Sequence, residues 1–582
     1  MKNLNKMKWI VLGTTLLTLA GCNQQSSTVS NATDVANENI SSSEAIGSDL
    51  LIRETQFGSV KGYEEGEALI WQGIPYGGDT SGENRWKAPT DPQSWSGTLD
   101  ATQGGDVALQ AGADGVIGSE DALNLDIYRS NNETEDLPVL VYIHGGNNQT
   151  GQAQEISGKS FVSSHDAIVV SVNYRLGPLG FNPLPALKTE SDEENSGNYA
   201  MLDLAKSLDW IRTNIGHFGG DSHNITVSGF SAGGRDVMAM LISPLFAGKF
   251  DKAISFSGGM TVADEEESQE VFAESIAPLV VEDGVKNDED EAKKWLLTSD
   301  KEVKDYLYNL DGSRLVGLMR NAGIRMEVFP HLYNDGTVIP LEGFDSETYN
   351  SVPLIMLTGE KEFSLFSRFD PYFAEAVSDG SIDTDKDISG QYDFVNQYGG
   401  QLYSLFNLED SAIKMANNYD APIYGMEILF GENPDYISEE MAKIGSFHGV
   451  FLPLLDTDSE SYAELVTDSY ESQGAKELSV MFQNYVYEFI SSGDPNGESL
   501  PEWTAWQKDA EENILFLDAD DSVATAKMGK KEFDYASVLT AIENDSSITE
   551  EQKTDLLSEV MNGRWFSYEL DKKYHHLSEY DQ

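Results

Sequence analysis

The feature that most constrains the fold of this chain is a series of short, strongly apolar runs that alternate with helical patterns. Four of these runs are rich in β-branched residues and have the length of buried strands: 139–143, 168–172, 225–228 and 354–357. Between the second and third runs, apolar residues recur at helical spacing from Met201 to Ile211. Strand–helix–strand units of this length predict an α/β fold with a central, mostly parallel sheet that is flanked by helices.

The composition indicates a large folded domain and restricts the classes of molecule that it can bind. The 582 residues include 38 Lys and Arg against 98 Asp and Glu, a formal net charge of −60, and 40% are hydrophobic. Nucleic acid is excluded as an expected partner, because phosphate binding needs a basic surface. The single cysteine excludes an intramolecular disulfide framework and a thiolate metal cluster. No internal repeat follows residue 50, so we expect one domain over residues 51–582, with helical cap insertions at about 260–350 and 365–420.

The N-terminus has the organisation of a secretory signal. Three lysines flank the start of an apolar run of about 12 residues, which as a helix would rise about 18 Å, short of the roughly 30 Å of a bilayer core. Leu-Ala-Gly-Cys at 19–22 resembles the bacterial lipobox, in which the cysteine is lipid-modified. We therefore expect a lipoprotein signal peptide at 1–21, lipidation at Cys22 and anchoring at the extracytoplasmic face of the cell membrane. The alternative is an ordinary signal peptide with an incidental cysteine.

Residues 22–50 have the composition of a tether. They are rich in Ser, Asn, Gln, Thr and Ala and contain too few apolar side chains to offset the entropy of ordering. We expect a disordered polar segment that holds the folded body away from the membrane, so that the lipid anchor is the only membrane contact.

The first motif with chemical meaning is Gly-Phe-Ser-Ala-Gly at 229–233, between the run at 225–228 and a helical pattern at 235–242. G-x-S-x-G between a strand and a helix is typical of a nucleophile elbow, which would present Ser231 on a sharp, strained turn. Glycines two residues to either side avoid collisions that larger side chains would cause there. The following helix N-terminus favours developing negative charge. Taken alone, the five residues also fit an ordinary Gly/Ser-rich turn.

The second motif is His-Gly-Gly-Asn at 144–147, directly after the run at 139–143. Acyl transfer needs backbone N–H donors aimed at the carbonyl oxygen as it becomes an oxyanion, and glycines allow the backbone to approach that closely. A histidine–glycine loop after a strand is the type that accompanies nucleophile elbows. By itself it also fits a plain glycine turn, but the two motifs together indicate a serine nucleophile with an oxyanion loop.

Further motifs occur in order along the chain: Gly-Ile-Pro-Tyr at 73–76, Arg-Trp at 85–86, Ser-Glu-Asp-Ala-Leu-Asn-Leu at 119–125, Asn-Tyr-Arg-Leu-Gly at 173–177, Phe-Gly-Gly-Asp at 218–221 and Gly-Asp-Pro-Asn at 493–496. With them the chain resembles the type-B carboxylesterases, the cholinesterase-like branch of the α/β-hydrolases. The resemblance implies an α/β-hydrolase fold and a serine carboxylic-ester hydrolase that acts on small-molecule esters through an acyl-enzyme intermediate. It implies no cofactor and no metal, and it does not indicate an oligomeric state or an acyl specificity.

The resemblance also implies an acid and a histidine after the serine. His448, in Gly-Ser-Phe-His-Gly at 445–449, matches the family's histidine loop and would act as the base. For the acid, alignment of the residues downstream favours Glu362, with Glu360 as the alternative, because the segment is shorter than the family's and Phe363 replaces a glycine. By the same resemblance the oxyanion donors would be the N–H groups of Gly146, Asn147 and Ala232.

Two departures from the family pattern affect the expected site. Phe230 stands before the nucleophile where the family commonly has glutamate, and Asn147 replaces a frequent glycine in the oxyanion loop. The rival interpretation is a non-catalytic, cholinesterase-like adhesion or binding module, since one fold supports several functions. Such binding proteins often lack a member of the triad, whereas this chain has a candidate for each.

Overall fold

A computed structural model describes residues 50–113, 115–318 and 330–561 of the chain. Within these residues, the centre of the fold is an 11-stranded sheet. The expected signal peptide at 1–21, the lipidation site Cys22 and the expected tether as far as residue 49 lie outside the described residues. None of the helices in the described part combines the length and apolar character that a membrane crossing requires.

The strands of the described residues are β1 (Ile52–Thr55), β2 (Gly58–Lys61), β3 (Tyr63–Glu65), β4 (Ala68–Pro75), β5 (Thr98–Asp100), β6 (Gln110–Gly112), β7 (Gly115–Ile117), β8 (Asn124–Ser130), β9 (Leu137–Ile143), β10 (Ile168–Val172), β11 (Gly220–Phe230), β12 (Lys252–Phe256), β13 (Leu354–Gly359), β14 (Ile423–Ile428), β15 (Ile514–Ala519) and β16 (Ala524–Gly529). In the large sheet their order is β16-β15-β14-β13-β12-β11-β9-β10-β8-β4-β3. Neighbouring strands from β15 to β10 pair in parallel, and antiparallel pairs complete both sides. The predicted mostly parallel sheet is confirmed.

The α-helices of the described residues are α1 (Lys159–Ser164), α2 (Gly177–Gly180), α3 (Asp192–Asn195), α4 (Tyr199–Asn214), α5 (Ala232–Ile242), α6 (Glu265–Glu282), α7 (Glu289–Leu296), α8 (Lys301–Asn309), α9 (Gly312–Val316), α10 (Phe363–Phe369), α11 (Ala374–Asp379), α12 (Ser381–Thr384), α13 (Lys386–Leu405), α14 (Ser411–Met415), α15 (Glu439–Ile444), α16 (Leu452–Leu455), α17 (Ala463–Val466), α18 (Gln473–Ser492), α19 (Tyr535–Asn544) and α20 (Glu550–Asp555). A π-helical turn, Phe406–Asp410, joins α13 to α14. The helical pattern predicted from Met201 to Ile211 is α4, and α6–α9 and α11–α14 lie within the two expected insertions.

Strand β9 explains why the runs found in the sequence are apolar at every position. Its residues Val139, Val141 and Ile143 belong to the hydrophobic cluster on one face of the sheet. Leu140 and Tyr142 belong to the cluster on the other face. Because successive side chains of a strand point to opposite faces, a parallel strand with helices on both sides is buried throughout.

The C-terminal helices α19 and α20 cover helix α13. Phe394 and Tyr398 of α13 share a third hydrophobic cluster with Val538 and Ile542 of α19. The Tyr398 hydroxyl also donates a hydrogen bond of 2.8 Å to Asp545 Oδ2. The sequence pattern after about residue 520 predicts amphipathic helix without indicating a role. This prediction is wrong for Ala524–Gly529, which form strand β16, whereas α19 and α20 follow and pack against the 365–420 insertion.

Asp126 on β8 is a carboxyl group buried in the sheet, away from the candidate catalytic residues. It accepts a hydrogen bond of 2.8 Å from the Gly73 N–H, and the side-chain amide of Gln154 donates to its other oxygen. Burial raises the pKa of Asp126 to about 6, although the hydrogen bonds from Gly73 and Gln154 oppose the increase. The folded protein therefore binds a proton at Asp126 at a higher pH than the unfolded chain does.

This difference predicts a pH-dependent term in stability. As pH falls through about 6, the native state takes up a proton that the unfolded chain does not, so the contribution of Asp126 to stability rises toward acid. Asp126→Asn should remove this term, and between pH 7.5 and 5 the wild type should gain about 1 kcal/mol of unfolding free energy relative to the variant. Urea unfolding of both proteins across this range measures the effect. Parallel pH profiles would contradict it.

Candidate active site

Ser231 occupies the turn between strand β11 and helix α5. Its backbone has φ 55° and ψ −117°, a region that non-glycine residues rarely adopt. The Ser231 N–H donates to the Phe256 carbonyl of β12 at 2.9 Å, and its own carbonyl accepts from the Arg235 N–H at 3.0 Å. These two bonds join the turn to the sheet and to the helix, which maintains the strained conformation.

Glycine is needed at both ends of this turn for the steric reason expected from the sequence. A Cβ atom at Gly229 would lie 2.2 Å from the Gly233 carbonyl oxygen. A Cβ atom at Gly233 would lie 2.2 Å from the carbonyl oxygen of Ile143, the last residue of β9. The turn thus allows the nucleophile strand, its helix and the neighbouring strand to come into direct backbone contact.

The structure brings Glu362, and not Glu360, to His448. His448 Nδ1 lies 2.5 Å from Glu362 Oε2, and both side chains are almost completely buried. Glu362 lies in the turn between β13 and α10, and His448 lies in the loop that follows α15. The carboxyl ends of β13 and β14 lead to these two segments, so the parallel sheet carries both residues to the same edge.

The second oxygen of Glu362 is held by donors that orient the carboxylate. Oε1 accepts from the Ser257 hydroxyl and the Gly359 N–H, each at 2.6 Å, and Thr358 Oγ1 lies 3.1 Å away. Gly359 is required for the approach of the histidine loop, because a Cβ atom there would lie 2.4 Å from the Ser446 carbonyl oxygen. A carboxylate fixed in this way presents Oε2 to the imidazole in one orientation.

Glu360 has a different environment. Its backbone N–H donates to the Ile428 carbonyl at 3.1 Å, and no contact of its carboxylate with His448 is found among the described residues. Burial raises the pKa of Glu360, and the nearby carboxylate of Glu432 raises it further. Of the two acids left open by the sequence, Glu362 therefore has the geometry of a triad acid.

Three aromatic rings surround the imidazole of His448. The ring centroids of Phe230, Phe366 and Tyr403 lie 4.8, 4.9 and 5.5 Å from that of His448, and the Tyr403 ring is nearly parallel to it. These rings pack around the imidazole and restrict its orientation. In the sequence, Phe230 stands out only as a departure from the family pattern, and no local pattern relates Phe366 of α10 or Tyr403 of α13 to position 448.

His448 Nε2 is buried and has no hydrogen-bond partner among the described residues. Phe230, which directly precedes Ser231, packs against the same imidazole, so the nucleophile turn adjoins the histidine. The structure therefore brings Glu362 and His448 into contact and Ser231 to their vicinity, without a hydrogen bond from Ser231 to Nε2. Hydrogen bonds of catalytic groups are often long in ligand-free enzymes and shorten with substrate.

The loop after β9 lies against the nucleophile turn. A Cβ atom at Gly145 would lie 3.2 Å from the Ser231 Cβ atom. Gly146, Asn147 and Asn148 all have positive φ, at 92°, 53° and 55°. The half-buried Glu155 side chain anchors the loop, since Oε2 accepts from the Gly145 N–H at 3.1 Å and from the Tyr142 hydroxyl at 2.7 Å. Ala232, the third expected donor, is the first residue of α5, where helical N–H groups have no intrahelical acceptor.

His144 begins this loop but does not have the properties of a base. Its ring stacks on Tyr174 at a centroid distance of 4.6 Å, and its Nδ1 lies 3.0 Å from the Gly145 carbonyl oxygen. Burial lowers the pKa of His144 to about 4, so the ring is neutral at pH 7. Within the described residues, no group of three His, Cys, Asp or Glu side chains is arranged to hold a metal ion.

Comparisons with known proteins identify the family of this chain. A model of the carboxylesterase family matches residues 49–422. The chain is 37% identical to the para-nitrobenzyl esterase of Bacillus subtilis (strain 168) over 239 residues, 40% of this chain and about half (48%) of that protein. It is 27% identical to the medium-chain fatty acyl-CoA hydrolase precursor of Anas platyrhynchos over 543 residues, 84% of this chain and 92% of that protein. The solved structure of a PNB esterase superposes with a TM-score of 0.63 at 27% identity, covering 82% of this chain and 97% of that one, which confirms the predicted α/β-hydrolase fold.

The choice between the two acids can be tested by matched substitutions. Glu362→Gln should lower kcat by about 10⁴-fold, because an amide no longer orients the imidazole or stabilises its cation. Glu360→Gln, two residues away, should change kcat by less than about threefold, because the variant keeps the 2.5 Å contact between Glu362 and His448. Steady-state measurement of kcat for both variants on one ester shows which of the two glutamates is the triad acid. The opposite ranking of the two variants would reject Glu362.

Proposed function

The chain belongs to the carboxylesterase family and is a carboxylesterase; from this premise we propose that it hydrolyses small-molecule esters with a Ser231–His448–Glu362 triad. The observation that carries this proposal is the buried contact between His448 Nδ1 and Glu362 Oε2, at 2.5 Å, beside the strained turn that bears Ser231. A serine nucleophile, a histidine base and a glutamate that orients the histidine, at Ser231, His448 and Glu362 respectively, support an acyl-transfer mechanism.

Acylation begins with proton transfer from Ser231 to His448. Nε2 takes the proton as the Ser231 oxygen attacks the ester carbonyl carbon, and a tetrahedral intermediate forms. Glu362 keeps the imidazole oriented and stabilises its cation without taking the proton. The imidazolium then donates its proton to the leaving alcohol, the carbon–oxygen bond of the ester breaks, and an acyl-enzyme remains.

The oxyanion of the intermediate is stabilised by backbone donors. The N–H groups of Gly146 and Asn147 in the loop after β9, and of Ala232 at the start of α5, are assigned to this role. The dipole of α5 adds to the same field. In the second half of the reaction, His448 activates a water molecule that attacks the acyl carbon, and Ser231 leaves with the proton.

A non-catalytic binding module is the less favoured alternative. Such a module needs no nucleophile, no base and no acid, whereas candidates for all three are present and Glu362 is held by donors from Ser257 and Gly359. The relatives named above are an esterase and a hydrolase, which also supports catalysis.

We further propose that the enzyme is a lipoprotein on the extracytoplasmic face of the cell membrane. Support comes from the basic and apolar segments before Leu-Ala-Gly-Cys at 19–22 and from the polar composition of residues 22–50. Cys22 would carry the lipid, and the chain after it would separate the catalytic domain from the bilayer.

Removal of the nucleophile is the direct test of the mechanism. Ser231→Ala should lower kcat for a p-nitrophenyl ester by about 10⁴-fold or more and abolish labelling by a phosphonate. The matched control is Ser222→Ala, which removes a hydroxyl from β11, the strand that leads to Ser231. This variant should retain ester hydrolysis and phosphonate labelling. Circular dichroism of the two variants verifies folding. Hydrolysis at the wild-type rate by folded Ser231→Ala would refute the proposal.

The anchor has its own test. Cys22→Ser should move esterase activity from the membrane fraction to the soluble fraction of the producing cells, because the acceptor of the lipid is lost. The kcat of the released protein should equal that of the detergent-extracted wild type. Activity that stays with the membrane in the variant would show that the anchor lies elsewhere.

A further inference from the structure

Asn148 is held by backbone and side-chain hydrogen bonds in the loop that follows β9. Its side chain is completely buried, and its backbone has φ 55° directly after another left-handed residue, Asn147. The Asn148 carbonyl accepts from the Gly177 N–H at 2.6 Å. Its side-chain oxygen lies 2.9 Å from the Tyr174 hydroxyl, and its side-chain nitrogen donates to Asp236 Oδ1 at 2.9 Å.

Asp236 lies on the helix that begins at the nucleophile. It is five positions after Ser231 in α5 and its side chain is completely buried. Burial raises the pKa of Asp236 to about 7, although the amide of Asn148, the charge of Arg235 and the hydroxyl of Tyr174 oppose the increase. A carboxylate in such a position is costly, and such costs are usually offset by a gain at a functional site.

We propose that Asp236 is a positioning residue that acts through Asn148 to hold the oxyanion loop against the nucleophile helix. The pair joins the two elements that supply the assigned oxyanion donors: Gly146 and Asn147 precede Asn148 on the loop, and Ala232 lies on α5. Their relative position sets the distance from all three donors to one oxyanion. This inference rests on the proposed function, because it presupposes that the loop binds an oxyanion.

The energetic reason lies in the strain of the loop. Consecutive left-handed residues other than glycine are unfavourable and persist only where the surroundings over-determine them. The peptide between Asn147 and Asn148 is held by the contacts of Asn148, so loss of the Asp236 bond would let the loop relax. A displacement of about 1 Å in catalytic groups costs on the order of 100-fold in rate.

A swap of the two side chains tests the pair. Asn148→Asp places two carboxylates face to face, and we expect kcat to fall about 10- to 100-fold with KM within about threefold of the wild type. Asp236→Asn in the Asn148→Asp background restores one amide and one carboxylate in reversed positions, and Tyr174 can still donate to residue 148. The double variant should recover kcat to within about fivefold of the wild type.

Two further readouts separate positioning from general stability. Each kcat is normalised to active sites titrated with a phosphonate, so that unfolded protein does not count. The affinity for a trifluoromethyl ketone, which forms an oxyanion on Ser231, should fall in parallel with kcat/KM in the single variant and recover in the double variant. A purely structural role would lower the titrated fraction and the melting temperature. It would leave unchanged the kcat per titrated site and the affinity for the trifluoromethyl ketone.

Tyr174→Phe is the second variant if Asn148→Asp does not fold. It retains the ring that stacks on His144 and removes the hydroxyl, which lies 2.9 Å from Asn148 Oδ1 and 3.1 Å from the His144 carbonyl oxygen. A several-fold loss of kcat at constant KM supports the inference, and unchanged kcat per titrated site overturns it. The inference is also overturned if the double variant has a kcat as low as that of Asn148→Asp alone. Failure of the proposed function is distinct, since the wild type would then not be titrated by the phosphonate at all.

Discussion

The contact between Glu362 and His448 is the interaction on which the proposed chemistry of this protein depends. Both side chains are withdrawn from water, and an isolated buried carboxylate would be strongly unfavourable. The cost is offset because one oxygen of Glu362 faces His448 Nδ1 and the other accepts from Ser257 and Gly359. The same low-dielectric environment strengthens the field that the carboxylate exerts on the imidazole.

Strained backbone conformations concentrate around this contact. Ser231, Asn147, Asn148 and Ser257 all have positive φ between 52° and 55°, and each follows or belongs to a segment at the carboxyl end of a strand. Such conformations cost of the order of 1–3 kcal/mol each and need surroundings that enforce them. The parallel strands β9, β11 and β12 provide that enforcement, because their ends are fixed by the sheet and by buried side chains on both faces.

The surroundings of His448 are largely apolar, whereas the chain as a whole is strongly acidic. The chain carries a formal net charge of −60, yet the imidazole of His448 is surrounded by Phe230, Phe366 and Tyr403. Phe230 occupies the position where the resembling family commonly has a glutamate. The ring of Phe230 packs against the imidazole at a centroid distance of 4.8 Å, so at this position the side chain beside His448 is apolar.

The amino-acid sequence alone determined the features that contiguous residues encode. The apolar runs specified buried parallel strands, and the glycines at 229, 233 and 146 specified close backbone contacts, because sterics act between near neighbours. Resemblance to the family favours Glu362 over Glu360, but only the tertiary structure shows the contact of Glu362 with His448, the rings around His448 and the link from Asn148 to Asp236. Those contacts join residues that lie tens to hundreds of positions apart. Side-chain orientation in the three-residue turn at 360–362 depends on the loops packed against it rather than on any local pattern.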